Sequence, residues 1–296
     1  MTGGAERRLP SFASLPTRPE ETDPLSAEIV ETEARAPILD EIEAAKRRAR
    51  FGFRATFAFV WVSILIGLVI AFAATDNIDT DWIGTWAPYI LGGAGITILV
   101  CVLSIILATV LALVGALGRL SSNAILHAIA SFYVSLVRGT PLIVQIYIIF
   151  FSLPQISKAL IFPAIAAGVI ALGFNYGAYM TEIFRAGIQA VPRGQAEAAA
   201  ALGMTERHIF RRIVLPQAVR IVTPAIGNEF IAMIKDSALV SLIGVQEVLW
   251  RAETAGRPTL HTLEAFIIAA LVYWGLTIVF SFFQTRLERR MARGDR

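Results

Sequence analysis

The chain has 296 residues, 56% hydrophobic and 17% charged, with a formal net charge of +3 and a mean hydropathy of +0.65. A soluble domain carries about 25% charged residues, so this composition excludes a water-soluble globular class and places the bulk of the chain in a bilayer. The pI of 9.2 does not call for nucleic acid, because the basic residues cluster beside apolar runs as membrane topology alone requires. The single cysteine, Cys101, lies inside an apolar run, where it forms no intrachain disulfide and reads as a small apolar filler.

Residues 1 to about 35 carry prolines, serines and acids without sustained apolar periodicity, the composition of a disordered tail. The first long apolar run begins near Phe57, too late for a signal peptide. Between them, ILDEIEAAKRRARFGFR places Ile38, Leu39 and Ile42 on one helical face and sets Glu43 four residues before Arg47. That pattern fits a short helix on the membrane surface and equally a solvated linker. Six predicted spans follow, each near the roughly 20 residues that cross the hydrocarbon core. They are Phe57–Thr75, Tyr89–Leu117, about Ser135–Leu153, Phe162–Ala190, about Val219–Val245 and Ala265–Gln284. The expected class is therefore all-α, a polytopic membrane helix bundle of about six transmembrane helices. Its expected parts are an extension over residues 1–50, an additional span within 51–80 and a membrane core over 85–290.

Lys46, Arg47, Arg48, Arg50 and Arg54 precede the first span, whereas DNIDTDWIGTWAP after it holds three aspartates and no base. Cytoplasmic loops carry the excess of Lys and Arg, so the N-terminus is expected inside. Six crossings return the C-terminus inside, in keeping with its basic tail TRLERRMARGDR. The same alternation puts residues 195–216 on the cytoplasmic side. There Pro192 and Gly194 interrupt the fourth span, QAEAAAALG favours helix, and Gly203 offers a bend before a second helical run, TERHIFRRIV. Ile209 and Ile213 share a face of that second run, so the element can bury a small apolar ridge in another protein's groove.

The pattern Glu197-Ala198-Ala199, three residues, Gly203, nine residues, Ile213, one residue, Leu215-Pro216 resembles the signature loop of the permease subunits of binding-protein-dependent ABC importers. RGTPLIVQIYIIF at 138–150, NYGAYMTEIFRAGIQAVPRGQAEAA at 175–199 and LPQAVRIVTPAIGNEFIAMIKDSALVSLIGVQEV at 215–248 are similar to the polar amino-acid branch, and the resemblance covers about residues 89–290. It implies an extracytoplasmic amino-acid-binding protein, a second permease copy or a paralogue, and a separate ATP-binding subunit that dimerises and receives the loop in a surface groove. The commonest form of the branch has five spans and an outside N-terminus. Here an added first span moves only the N-terminus inside.

No GxxxxGK[ST] occurs, and none of the lysines, Lys46, Lys158 and Lys235, follows a glycine. No phosphate-cradling loop of that kind is present, so ATP and Mg are expected on the partner and no cofactor on this chain. Ionisable groups within spans are tolerated only toward the bundle interior or a watery cavity, which makes Arg138, Glu182, Glu229 and Asp236 candidates for the translocation pathway. Asn175, Tyr176 and Tyr179 suit the ammonium and carboxylate of an amino acid. Each of these residues also admits a structural role, Glu182 paired with Arg185 or Arg138 with Asp236, and the amide and phenols as hydrogen bonds between helices. An ion-gradient-driven secondary transporter shares the buried charges, but it needs no such loop and usually shows repeated halves, which are not found here. An intramembrane enzyme would need a nucleophile, base or metal cluster inside the spans, whereas His127, His208 and His261 are scattered and no HExxH occurs.

Overall fold

Lipid tails are as apolar as leucine, so helices in a bilayer associate where small residues let their backbones approach. The most extensive helix contact among the described residues obeys that rule. Ala108, Ala112 and Ala116 recur at helical spacing on α3 (Ala94–Leu120), all fully buried, and α3 packs along α7 (Ala164–Gln189). A Cβ added at Gly173 of α7 would lie 2.7 Å from Leu107, and one at Gly177 would lie 2.7 Å from the Tyr133 hydroxyl and 2.9 Å from Leu111. The computed structural model describes residues 46–67, 70 and 78–291 and divides the chain into two units, Met1–Ile78 and Asp79–Arg296.

The first unit contributes α1, Lys46–Gly67, in which the basic run and the start of the first predicted span form one helix. The readings for residues 1–45 and for the end of that span, 71–75, lie outside the described residues. In the second unit, α2 (Thr80–Leu91) leads into α3, and α4 (Ala124–Arg138) is followed by α5 (Leu142–Tyr147), a π-turn at Ile148–Ser152 and α6 (Leu153–Ile156). After α7 come α8 (Arg193–Ala201), α9 (Glu206–Ile209) with a π-turn at Phe210–Val214, and α10 (Leu215–Asp236). A 3-10 segment at Ser237–Ile243, α11 (Val248–Thr259) and α12 (Thr262–Met291) complete it.

Four described helical stretches are long and apolar enough to cross a membrane, or five if the bent pair α4 and α5–α6 counts as one. Two of the six expected spans thus differ from straight crossings. The third, read as about Ser135–Leu153, is broken by a 106° bend between Arg138 and Leu142. Pro141 supplies no N–H and disfavours a helical Thr140, so α4 ends, and Gln145 takes over the carbonyls left open there. The fifth, Val219–Val245, is a helix only to Asp236. It is interrupted by a 3-10 turn that closes at Gly244, and with Arg220, Glu229, Lys235 and Asp236 α10 is not among the helices apolar enough to cross a membrane.

A second core joins α2, α11 and α12 around Trp82, Ile90, Ala252 and Ala265. Trp82 stacks on His261 and donates to Thr259 at 3.0 Å, while Asp79 caps α2 through the Trp82 N–H, which holds its carboxyl below the usual range. Glu247, fully buried, caps α11 through Trp250 N–H at 2.9 Å and accepts from the Tyr273 hydroxyl and from Thr97 at 3.4 Å. One carboxylate therefore ties α3, α11 and α12 together.

Replacing Gly177 with leucine forces side-chain atoms into Leu111 and Tyr133. Overpacking of this kind costs about 2 kcal/mol, and a lower thermal midpoint of the purified chain is the expected result. An equal loss in Gly95→Leu, where a Cβ meets nothing within 4 Å, would show that the close approach is not the cause.

Candidate functional site

Residues 193–217 fold back on themselves because of one backbone position. Gly203 has φ +80°, a left-handed conformation that costs a side-chain-bearing residue energy but glycine almost none. Its N–H bonds Ala200 O at 2.9 Å and Met204 N–H bonds Ala199 O at 3.1 Å, closing the last carbonyls of α8 in a Schellman turn. α9 then follows its N-cap Thr205, whose carbonyl accepts from His208 and Ile209. Ala199 and Ile209 are both buried where α8 and α9 pack, so Ile209 is turned into the hairpin rather than offered to a partner. Ile213 and Leu215 are half-buried, Glu197, Ala198 and Pro216 are exposed, and Leu202 at the tip is 85% exposed. Gln217 closes the base by donating to Gln195 at 2.6 Å and to Ile213 O at 2.9 Å.

At the far end of α10 lies a recess of about 280 Å³. Asn175, Tyr176 and Tyr179 of α7 line it on one side and Glu229 and Asp236 of α10 on another, with the Thr140–Leu142 turn completing the wall. The Tyr176 hydroxyl donates to Asp236 Oδ2 at 2.7 Å, and the Arg138 guanidinium lies 5.2 Å from the Tyr179 ring centroid. Arg138 is thus held over an aromatic face, and Asp236 is engaged by a phenol. Asn175 donates to Gln145 Oε1 at 3.1 Å, and Gln145 in turn donates to Val137 O at 2.8 Å, to Thr140 O at 3.1 Å and to the Thr140 hydroxyl at 2.9 Å. Gln145 was not singled out from the sequence, although an amide within an apolar helix carried the signal.

Glu182 stands apart from these residues and does not line the recess. Its carboxylate accepts from Arg185 at 2.7 Å and from Arg119 of α3 at 3.2 Å, and Arg119 donates onward to Ser131 at 2.6 Å. The spacing of Glu182 and Arg185 was legible in the chain. Arg119 is 63 residues away and was not. The carboxylate is a bridge between α3 and α7 inside a three-charge group.

This geometry sets the outcome of charge removal. Glu182→Gln leaves two guanidinium groups without their carboxylate, Arg119 keeping Ser131 and Arg185 keeping Gln189, and loss of charged hydrogen bonds is worth about 2 kcal/mol. Adding Arg185→Gln should recover part of the thermal midpoint, and the triple variant with Arg119→Gln should recover more. Full recovery in the double variant would mean that Arg119 takes no part in the bridge.

The family model described as binding-protein-dependent transport system inner membrane component matches residues 104–293. The arginine transport system permease protein ArtQ of Bacillus subtilis (strain 168) is 42% identical over 219 residues, 74% of this chain and 100% of its own length. The histidine/lysine/arginine/ornithine transport system permease protein HisQ of Escherichia coli (strain K12) is 38% identical over 215 residues, 69% of this chain and 94% of its own. Among solved structures, the crystal structure of an amino acid ABC transporter with histidines aligns at TM-score 0.68 and 39% identity, covering 72% of this chain and 99% of that chain. The MetNI methionine ABC transporter in an inward-facing conformation shares the fold at TM-score 0.54 and 17% identity over 72% of this chain and 99% of its own. The match from α3 through α12, together with relatives aligned over nearly their whole length, makes the chain a member of the inner membrane components of binding-protein-dependent transport systems: a multi-pass membrane subunit and not an enzyme.

Proposed function

We propose that the chain is the permease subunit of an ATP-driven importer that moves polar amino acids across the cytoplasmic membrane by alternating access. The observation that carries the reading is the connection of the hairpin to both walls of the recess. Its N-terminal limb follows α7, which bears Asn175, Tyr176 and Tyr179, and its C-terminal limb continues into α10, which bears Glu229 and Asp236. Glu229 lies 14 residues beyond Leu215, about 20 Å along a helix rising 1.5 Å per residue. A pull on the hairpin therefore displaces two walls together, the lever that a change between outward- and inward-facing states needs.

In this reading, the exposed face of the hairpin, with Glu197, Ala198 and the apolar tip of Leu202, seats in a groove of a separate ATPase subunit working as a dimer. Gly203 bends the hairpin, while Ala199, Ile213, Leu215 and Pro216 hold its shape. ATP and Mg are bound by that partner, and this chain needs no cofactor. The recess takes the substrate as an amino acid, its ammonium toward Asp236 and Glu229 and its carboxylate toward Arg138. A second permease copy or a paralogue closes the open side, and an extracytoplasmic amino-acid-binding protein delivers from the other face of the membrane. Both termini lie in the cytoplasm, as the Lys and Arg count requires. Glu182 acts as the bridge that keeps α3 and α7 moving as one body.

Reconstitution tests the reading. Proteoliposomes holding this chain, its ATPase and its binding protein should accumulate labelled arginine, histidine or glutamine only when ATP is supplied. Uptake by the chain alone under an ion gradient would show a secondary transporter instead. Within the ATP-driven assembly, Gly203→Val places a β-branched side chain at φ +80°, where open space admits the Cβ but the backbone does not favour it. Uptake should fall at least ten-fold while Gly203→Asn, tolerant of that conformation, keeps most of it. Normal coupled transport by Gly203→Val would overturn the coupling role.

A further inference from the structure

A second cavity, of about 670 Å³, lies between α3, α10 and α12 and shares no lining residue with the recess. Its walls are apolar, formed by Ile105, Ile226, Phe230 and Phe283, with the Phe230 and Phe280 rings 5.0 Å apart. At its end on α12 stand Arg286 and Arg290, four residues apart and so on one helical face. From Phe280 to Arg290 the helix rises about 15 Å, half of the roughly 30 Å hydrocarbon core, which is the depth of one acyl chain.

Basic residues at the inner end of a span satisfy topology by themselves. The groove adds a feature that topology does not demand, an apolar slot that leads to two guanidinium groups. Among the described residues neither arginine has a carboxylate partner, and the nearby Glu288 already accepts from Gln284 at 2.9 Å. An anionic amphiphile complements both parts of the groove.

We infer that this groove binds an anionic phospholipid, one acyl chain lying against α10 and α12 and the phosphate held by Arg286 and Arg290. Glu288 and Met291 of the same helix end share a cavity wall with Gln195 and Gln217 at the base of the hairpin. The bound lipid therefore steadies the part of α12 that borders the coupling element.

The full-length chain, delipidated in detergent, is titrated with dioleoylphosphatidylglycerol, dioleoylphosphatidylcholine or glycerol phosphate and weighed by native mass spectrometry. Phosphatidylglycerol should be retained, the other two not. Arg286→Gln with Arg290→Gln should weaken retention about thirty-fold, taking each basic contact at its usual worth. Arg286→Lys with Arg290→Lys should keep most of it, and so should Arg289→Gln, whose side chain does not line the groove. Equal loss in Arg289→Gln, unchanged retention in the double glutamine variant, or equal binding of phosphatidylcholine would overturn the site. Binding of glycerol phosphate alone would reduce it to an anion site and overturn the lipid assignment. Independently of those variants, p-benzoylphenylalanine at Phe283 in phosphatidylglycerol nanodiscs should cross-link to lipid, and cross-linking to a second copy instead would refute the inference.

Discussion

The close contact between α3 and α7 is the constraint on which the other arrangements rest. In a bilayer nothing drives two apolar helices together except the packing they achieve, and here Gly173 and Gly177 receive Leu107 and Leu111 at distances that no larger residue allows. That contact consumes one face of α7. The face bearing Asn175, Tyr176 and Tyr179 is consequently left for α4, α5 and α10, where the recess forms. Arg119, Glu182 and Arg185 fasten the same pair of helices nearer the hairpin, so charge adds direction to a contact that small residues made close.

The breaks in the helices follow from the scarcity of water. An open carbonyl in hydrocarbon costs several kcal/mol, so a helix is interrupted only where another group takes its place. At the end of α4 that group is Gln145, which binds two backbone carbonyls and a hydroxyl and still accepts from Asn175. A single amide thereby fixes a bend of 106° and joins it to the recess. Glu247 serves a comparable purpose at the start of α11, where one buried carboxylate meets groups from three helices.

In the proposed function the hairpin converts these fixed contacts into a means of movement. Its shape is closed by the turn at Gly203 and by Gln217, at the start of α10, on Gln195. Its two limbs run from α7 and into α10. An element joined to both walls of a cavity can transmit displacement, and in the proposed function this links residues 197–216 to the recess some 20 Å along α10.

Residues near one another in the chain were legible without coordinates. Composition required a membrane bundle, the helix formers and Gly203 required a bent hairpin, and the positions of Arg138, Glu182, Glu229 and Asp236 within apolar runs marked them as groups that must face the bundle interior or water. Their partners were not legible. Helical periodicity states which face a residue occupies but not which helix lies opposite, so Arg138 paired with Asp236 on paper and with the Tyr179 ring in the fold. Glu182 likewise suggested Arg185, three residues on, and gave no sign of Arg119 across the α3–α7 contact. The bend after Arg138 was hidden for the same reason: the span was read straight through Pro141, and the bend was decided by Gln145 capturing carbonyls that local sequence leaves open. Sequence determined which groups could not remain in hydrocarbon alone, and tertiary structure decided which other group met each of them.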